Sequence, residues 1–213
     1  MPRAGRDSAP SASSRFFNPG PPPLREEGKV SVLMVCLGNI CRSPSAEAVF
    51  RAAVAKRGLS DSFWIDSCGT GGGAGDWYKA GGFSYHEGGP ADQRMAAAAA
   101  SRGIALTSSS RPLSPADVER VDYILAMDAA NERAIAVAAE HWAAATTRRE
   151  LPVSRLTHYL RDPALKAAHA PAGVPDPYYG GRQGFETVLD LLEDACEGLL
   201  DAILEEQGGR VKR

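Results

Sequence analysis

One nine-residue segment, CLGNICRSP at 36–44, constrains the fold of this chain more than any other feature. It follows the apolar run 30–35, which is typical of a buried strand, and precedes residues 45–50, which suit the start of a helix. Gly38 and Asn39 are residue types that tolerate a positive φ, so the loop can turn its backbone N–H groups inward. The order of strand, tight loop and helix predicts an anion-binding loop at the end of the first strand.

The same segment carries a thiol and a guanidinium that are separated by five residues. Ser43 is a good helix N-cap and Pro44 suits the first helical position, so the helix N-terminus should favour a thiolate at Cys36. Arg42 offers a planar pair of donors that matches two oxygens of a phosphate. A bare C-x5-R spacing also fits a buried strand cysteine and an unrelated arginine. The strand, loop glycine, cap and proline in this order favour the phosphate site.

Length and composition predict one domain with an ordinary core, since the chain has 213 residues and 44 % of them are hydrophobic. The formal net charge of −2 gives no reason to expect nucleic acid, and no apolar run is long enough to cross a membrane. A Walker-type nucleotide loop is excluded because G-x-x-x-x-G-K-[ST] is absent. The four cysteines form neither a disulfide framework nor a zinc-binding pattern; they are Cys36, Cys41, Cys68 and Cys196. We therefore expect a reducing compartment, no metal and no cofactor.

Apolar runs alternate with helical periodicity from residue 29 onward, which predicts an α/β fold. We expect a single domain in which helices cover both faces of a four-stranded parallel sheet, with the phosphate-binding loop after the first strand. The predicted strands are 30–35, 63–67, 121–127 and a weak 151–156. The predicted helices are 44–57, 91–102, 131–144 and 184–206, and a short one begins at 114–117. The helix at 184–206 is amphipathic, with one apolar face that includes Phe185, Val188, Leu189, Leu192, Cys196, Leu199 and Leu200.

The first 28 residues differ in kind from the rest, because they are rich in proline, serine and arginine and hold few acids. Such a segment cannot bury much surface, so we expect disorder at 1–28, a folded domain at 29–207 and a tail at 208–213. The composition of 1–28 also fits an organellar transit peptide, and both interpretations stay open.

A thiolate mechanism on a phosphate monoester also needs an acid on a second loop that protonates the leaving oxygen. Asp176 is the candidate, since Pro175 and Pro177 stiffen its loop. The adjacent Tyr178 and Tyr179 can form the wall of a slot for an aromatic ring. By composition alone, a surface Pro-Asp-Pro turn is an open alternative.

Two well separated segments resemble the low-molecular-weight protein tyrosine phosphatases. VCLGNICRSP at 35–44 is similar to the signature loop of that family, and DPYYG at 176–180 is similar to its general-acid loop. Segments at 85–94 and 122–131 resemble the family as well, so the likeness covers about 29–207. The glycine-rich insertion at 71–84 looks like the plant and algal form, which together with residues 1–28 implies a cytoplasmic or chloroplast location.

The resemblance implies a phosphotyrosine phosphatase that hydrolyses aryl phosphate monoesters through a cysteinyl phosphate without a metal. Cys36 would be the nucleophile, Arg42 the phosphate clamp and Asp176 the general acid. The implied substrate-binding residues are Leu37, Gly38, Asn39, Ile40, Cys41, Ser43, Tyr85, Tyr178 and Tyr179. Tyrosine-phosphorylated proteins and small aryl phosphates both fit as substrates, and the oligomeric state is open. A thiol-dependent arsenate reductase would need further reactive cysteines, and a phosphate-binding module without activity would lack one of the three catalytic residues.

Several finer roles follow from the same likeness. The Ser43 hydroxyl should donate to the thiolate, and Asn39 should hold the loop backbone, although purely structural roles stay open for both. Cys41 is implied to close a reversible disulfide with Cys36, or it is a small buried hydrophobe. We expect Cys68 and Cys196 to serve packing only.

Three departures from the family pattern remain. Tyr85 stands where many relatives carry tryptophan. The hydroxyl-rich run Thr107-Ser108-Ser109-Ser110 replaces a histidine that supports the loop asparagine in animal relatives. The insertion at 71–84, with Trp77, Tyr78 and Phe83, could cover a substrate, dock a partner or pack on itself. We expect surface or packing positions for the histidines, which are His86, His141, His158 and His169.

Overall fold

The central strand β1 (Val30–Cys36) is buried at every position, because helices cover a parallel sheet on both faces. The computed structural model describes residues 28–148 and 150–207. The remaining strands are β2 (Phe63–Gly69), β3 (Tyr123–Ala126) and β4 (Val153–Arg155). All pairings are parallel and the spatial order is β2-β1-β3-β4. The predicted single α/β domain with a four-stranded parallel sheet is confirmed, and the weak fourth strand is a short edge strand.

Helices pack on both faces of this sheet. In chain order they are α1 (Arg42–Lys56), α2 (Gln93–Ser101), α3 (Pro115–Arg120), α4 (Ala129–His141), α5 (Pro163–His169) and α6 (Arg182–Glu206). Because side chains alternate along a strand, Val32 and Met34 of β1 pack with α1, α2 and α6, whereas Leu33 and Val35 pack with α3 and α4. The apolar face predicted for α6 is buried as expected.

Helix α1 begins two residues before the predicted position, so the assignment of Ser43 as N-cap and Pro44 as first helical residue is wrong. Cys41 precedes the helix and makes no side-chain capping bond. The reason is that the Ser43 hydroxyl is engaged elsewhere, with Cys36 and with the carbonyl of Cys68. The early start brings the first helical N–H groups into the loop itself.

Helix α5 was not expected from the sequence, although its local signal is clear. Asp162 caps it by accepting from the N–H groups of Ala164 and Leu165, and Pro163 occupies the first turn. The predicted segments 1–28 and 208–213 lie outside the described residues, apart from Gly28. Within the described ranges, no helix has both the length and the apolar character that crossing a membrane requires.

The ends of β1, β2 and β3 meet at one edge of the sheet, and the segment that carries Asp176 is attached there. The Val174 N–H donates to the Met127 carbonyl at 2.7 Å, and Gly173 forms an isolated bridge with Asp128. Gly173 has a φ of +97°, and a Cβ at this position would lie 2.4 Å from the Met127 oxygen. Glycine is therefore required where this loop crosses the end of β3.

Candidate active site

Cys36 lies at the carboxyl end of β1, and its sulfur accepts two hydrogen bonds. The Asn39 N–H donates to Sγ at 3.2 Å and the Ser43 hydroxyl donates at 3.1 Å. Asn39 has a φ of +54° and is the one non-glycine position with positive φ among the described residues. The expected inward turn of the loop at Asn39 is confirmed, and so is the Ser43 contact with the sulfur.

The Asn39 side chain ties the loop to three other segments. Its Nδ2 donates to Ser43 Oγ at 2.9 Å and to Ser67 Oγ at 2.9 Å, and its Oδ1 accepts from the Arg111 N–H at 2.9 Å. Asn39 thus holds the loop backbone as predicted. The missing histidine is replaced by Ser67 of β2 and by the backbone of Arg111, which sequence reasoning did not find.

A buried carboxylate sets the direction of this hydrogen-bond chain. The Ser67 hydroxyl donates to Glu47 Oε2 at 2.7 Å, and the side chain of Arg51 pairs with Glu47 Oε1. Since a carboxylate only accepts, Ser67 must receive the amide of Asn39, and the Ser43 hydroxyl is left to donate to the sulfur. The chain therefore ends at the Ser43 hydroxyl, whose acceptors are the Cys36 sulfur and the Cys68 carbonyl.

Arg42 is 3 % exposed and is held by two loops. One terminal nitrogen donates to Asp128 at 2.5 Å and to the Val174 carbonyl at 3.1 Å, and the other donates to Asp176 at 2.8 Å. Burial lowers the pKa of Arg42, but the charges of Cys36, Asp176 and Asp128 outweigh burial and raise that pKa above its ordinary value. The guanidinium is therefore charged and fixed in direction. Asp128, which also caps α4, was not predicted to have a role in the site.

Asp176 stands opposite the thiol on its own loop, as expected. Its Oδ2 contacts Arg42 and its Oδ1 accepts from the Tyr178 N–H at 3.1 Å. Tyr178 and Tyr179 meet edge to face with ring centroids 5.0 Å apart, and the Arg94 guanidinium lies 5.3 Å from the Tyr178 ring. The structure therefore brings together all three residues predicted to be catalytic.

A cavity of about 150 Å³ opens above the sulfur. Its walls include six of the predicted substrate-binding residues, namely Leu37, Gly38, Ile40, Cys41, Tyr178 and Tyr179, together with Cys36, Arg42 and Asp176. Asn39 and Ser43 are buried behind the loop and act on it rather than on the cavity.

Tyr85 does not line this cavity, and its assignment as a substrate-binding residue stays a prediction. Its N–H donates to the Gly71 carbonyl, and its side chain turns outward to pack edge to face on Phe83. Gly72 and His86 take the place expected for it. The expected surface or packing position of His86 is confirmed, and the residue also lines the cavity. Its ring lies so close to Gly38 that a Cβ there would be 3.0 Å from the imidazole.

All four thiols are free and buried. Burial, followed by the charge of Asp92, raises the pKa of Cys41 to about 12, so Cys41 is a thiol at neutral pH. Burial also raises the pKa of Cys68 and Cys196, which lie in the cores on opposite faces of the sheet. Their packing role is confirmed, whereas the disulfide between Cys36 and Cys41 stays a prediction.

Across the described ranges, no group of three or more His, Cys, Asp or Glu side chains could hold a metal ion. The Cys36 sulfur lies at the floor of a loop whose size suits an oxyanion, so it can accept a phosphoryl group. The carboxyl group of Asp176 faces the same cavity and can protonate the leaving oxygen. Fold and site together define a cysteine-dependent phosphatase.

Comparisons with known proteins specify the family. The sequence model of the family described as low molecular weight phosphotyrosine protein phosphatase matches residues 31–209. A low molecular weight protein-tyrosine-phosphatase of Streptomyces coelicolor is 42 % identical over 179 residues, which cover 84 % of this chain and 96 % of that protein. The human low molecular weight phosphotyrosine protein phosphatase is 34 % identical over 178 residues, covering 84 % of this chain and 98 % of the human protein. The chain belongs to this family and is a phosphotyrosine protein phosphatase.

Solved structures share the fold. A protein tyrosine phosphatase from Entamoeba histolytica with Hepes in the active site superposes with a TM-score of 0.66 at 37 % identity, covering 85 % of this chain and 99 % of that one. A Drosophila arginine phosphatase superposes with a TM-score of 0.63 at 29 % identity, covering 80 % of this chain and 96 % of that one.

Proposed function

We propose that this phosphatase hydrolyses phosphotyrosine in two steps that both use Cys36 and Asp176. In the first step the Cys36 sulfur attacks phosphorus, the bond from phosphorus to the tyrosyl oxygen breaks, and Asp176 gives that oxygen its proton. In the second step water attacks phosphorus and the bond from phosphorus to sulfur breaks. Asp176 takes the proton from water, and inorganic phosphate leaves.

One observation carries this proposal: the sulfur that receives two donors lies in the same cavity as Arg42 and Asp176. The Ser43 hydroxyl, aimed at Sγ, stabilises the thiolate both before attack and as it leaves the cysteinyl phosphate. Asp128 and the Val174 carbonyl hold one nitrogen of Arg42, so its other nitrogen faces the cavity. A bound phosphate and Asp176 compete for that nitrogen, which frees the carboxyl group to face the leaving oxygen.

The walls of the cavity support an aromatic leaving group. Leu37 and Tyr178 are partly exposed, and Tyr179 is 94 % exposed at the rim. Such walls suit a flat ring between apolar side chains. Tyrosine-phosphorylated proteins are the proposed substrates, and small aryl phosphates fit the same slot.

The test compares Cys36→Ser with Cys196→Ser on para-nitrophenyl phosphate and on a phosphotyrosine peptide. Cys36→Ser should abolish turnover of both substrates. Cys196→Ser is the matched control, because a serine can still donate to the Ala46 carbonyl that the thiol contacts at 3.7 Å. Turnover that survives Cys36→Ser would contradict the mechanism.

Three further assays separate the alternatives. Faster turnover of a phosphoarginine peptide than of the phosphotyrosine peptide would contradict the aryl preference. Thiol-dependent arsenate reduction without phosphatase activity would favour a reductase, and phosphate binding without turnover would favour a binding module.

We further propose a cytoplasmic or chloroplast location, supported by the composition of residues 1–28. Fluorescent fusions with and without those residues test it.

A further inference from the structure

Exposed apolar side chains are concentrated around the mouth of the active site. Of the six large hydrophobic residues that are exposed in the described part of the chain, five line the active-site cavity or a second cavity beside it. The five are Leu37, Tyr178 and Tyr179 at the first cavity and Phe83 and Tyr85 at the second; the sixth is Val137 on α4. Apolar patches of this kind mark surfaces that bind other molecules.

The second cavity, here called the insertion groove, is formed by the glycine-rich insertion at 71–84 together with Tyr85. It measures about 470 Å³ and is lined by residues 73–77, 79–83 and 85. Its floor is anchored, because Trp77 packs edge to face on Trp142 at 5.9 Å. The Trp142 ring N–H also donates to the Tyr78 carbonyl at 2.9 Å. One half of the insertion therefore packs on the C-terminal end of α4, where Tyr78 also contacts His141, and on Trp142 directly after it.

The other half of the insertion does not pack inward. Phe83 is 57 % exposed and Tyr85 is 63 % exposed, and their rings meet edge to face at 5.0 Å. Two aromatic rings held on an anchored floor offer apolar area that needs little further ordering to bind a partner.

The groove lies beside the active site. Gly72 and His86 line the active-site cavity, while their chain neighbours Gly73 and Tyr85 line the insertion groove. Adjacent Cα atoms are ~3.8 Å apart, so the wall between the two cavities is formed at these places by consecutive residues. An extended polypeptide advances roughly 3.3–3.6 Å per residue and spans this wall within about three residues.

The charge of the groove selects the kind of side chain. Its two ionic residues, Asp76 and Lys79, pair with each other at 2.7 Å, and the remaining lining residues are glycine, alanine and aromatic residues. We propose that the insertion groove binds an apolar side chain of a polypeptide substrate within about three positions of its phosphotyrosine. This proposal rests on the proposed function and deepens it, because it makes phosphoproteins rather than small aryl phosphates the preferred substrates.

The test uses a series of phosphotyrosine peptides that carry either leucine or alanine at each of the three positions on either side of the phosphotyrosine. Wild type should show about a tenfold higher kcat/KM for leucine at one or more of these positions, mainly through a lower KM. Tenfold corresponds to about 1.4 kcal/mol, within reach of burying part of a leucine.

Phe83→Ala and Tyr85→Ala should each reduce this preference toward unity while leaving turnover of para-nitrophenyl phosphate unchanged. Val137→Ala is the matched control, since it removes an exposed apolar side chain that lines neither cavity, and it should keep the preference. Because these side chains are exposed, truncating them should leave the fold intact. Equal rates on leucine and alanine peptides in wild type, or a preference that survives both substitutions, would overturn the proposal. A failure of the proposed function would instead appear as turnover that does not depend on Cys36.

Discussion

Replacing Asn39 by alanine tests whether one buried amide holds the nucleophile loop. The substitution removes the two bonds that Nδ2 donates, to Ser43 and Ser67, and the bond that Oδ1 accepts from Arg111. Leaving the Arg111 N–H unpaired costs about 1–3 kcal/mol, and each of the two other bonds contributes about 0.5–1.5 kcal/mol. Alanine at a φ of +54° adds about 1 kcal/mol.

The free energy of unfolding should therefore fall by about 3–7 kcal/mol in Asn39→Ala, against the roughly 5–15 kcal/mol typical of a domain. Urea denaturation monitored by circular dichroism measures this quantity. Asn39→Gly is the matched control, because glycine loses the same three bonds but accepts the positive φ. It should recover about 1 kcal/mol.

Turnover should fall in both variants even where they are folded, since the sulfur no longer has donors at fixed positions. Small misplacements of this kind cost up to roughly 10²-fold in rate. An Asn39→Ala protein within about 1 kcal/mol of wild type, with an unchanged kcat, would refute the argument that this amide holds the loop.

Three further predictions concern other parts of the molecule. Asp176→Asn should slow kcat on an aryl phosphate with a poor leaving group by ~10²–10⁴-fold while phosphate still binds, and an unchanged kcat would remove Asp176 from the acid role. Peroxide should convert the Cys36 sulfur to a sulfenic acid, which the Cys41 thiol then attacks with loss of water. Because the pKa of Cys41 is about 12, this closure should speed up as pH rises, and thiol should restore wild type but not Cys41→Ser; equal recovery would count against the disulfide. Burial and the bond to Glu206 raise the pKa of Tyr123 from 10 to about 12, so its neutral form is favoured in the folded state. This stability is present below pH 10 and is lost as pH rises toward 12, so Tyr123→Phe should flatten that decline in urea denaturation at about pH 9 and about pH 11.

Contiguous signals in the sequence predict much of the fold and the centre of the site. The four strands, the parallel sheet and the packing face of α6 follow from hydrophobic periodicity alone. Cys36 and Arg42 are part of one strand, loop and helix unit, so their proximity needs no knowledge of the rest of the chain. Asp176 could be named because its loop resembles that of a known family, whereas composition by itself also allowed a surface turn.

Residues that act from a distance could not be found this way. Ser67 faces the loop because the parallel register pairs it with Met34. The local sequence around Ser67 does not indicate that register. Asp128 reaches Arg42 only because β3 lies beside β1. Whether His86 and Tyr85 face the cavity or the outer surface depends on the path of the insertion that precedes them.

The sequence by itself determined the reactive chemistry, because a thiol, a guanidinium and a run of convergent N–H groups are encoded within nine consecutive residues. Only the tertiary structure decided which groups support that chemistry. The hydrogen-bond chain from Glu47 through Ser67, Asn39 and Ser43 to the sulfur crosses α1, β2 and the loop. Hydrogen bonds require contact within about 3 Å, and such contact between distant segments is set by strand register and loop path rather than by local pattern.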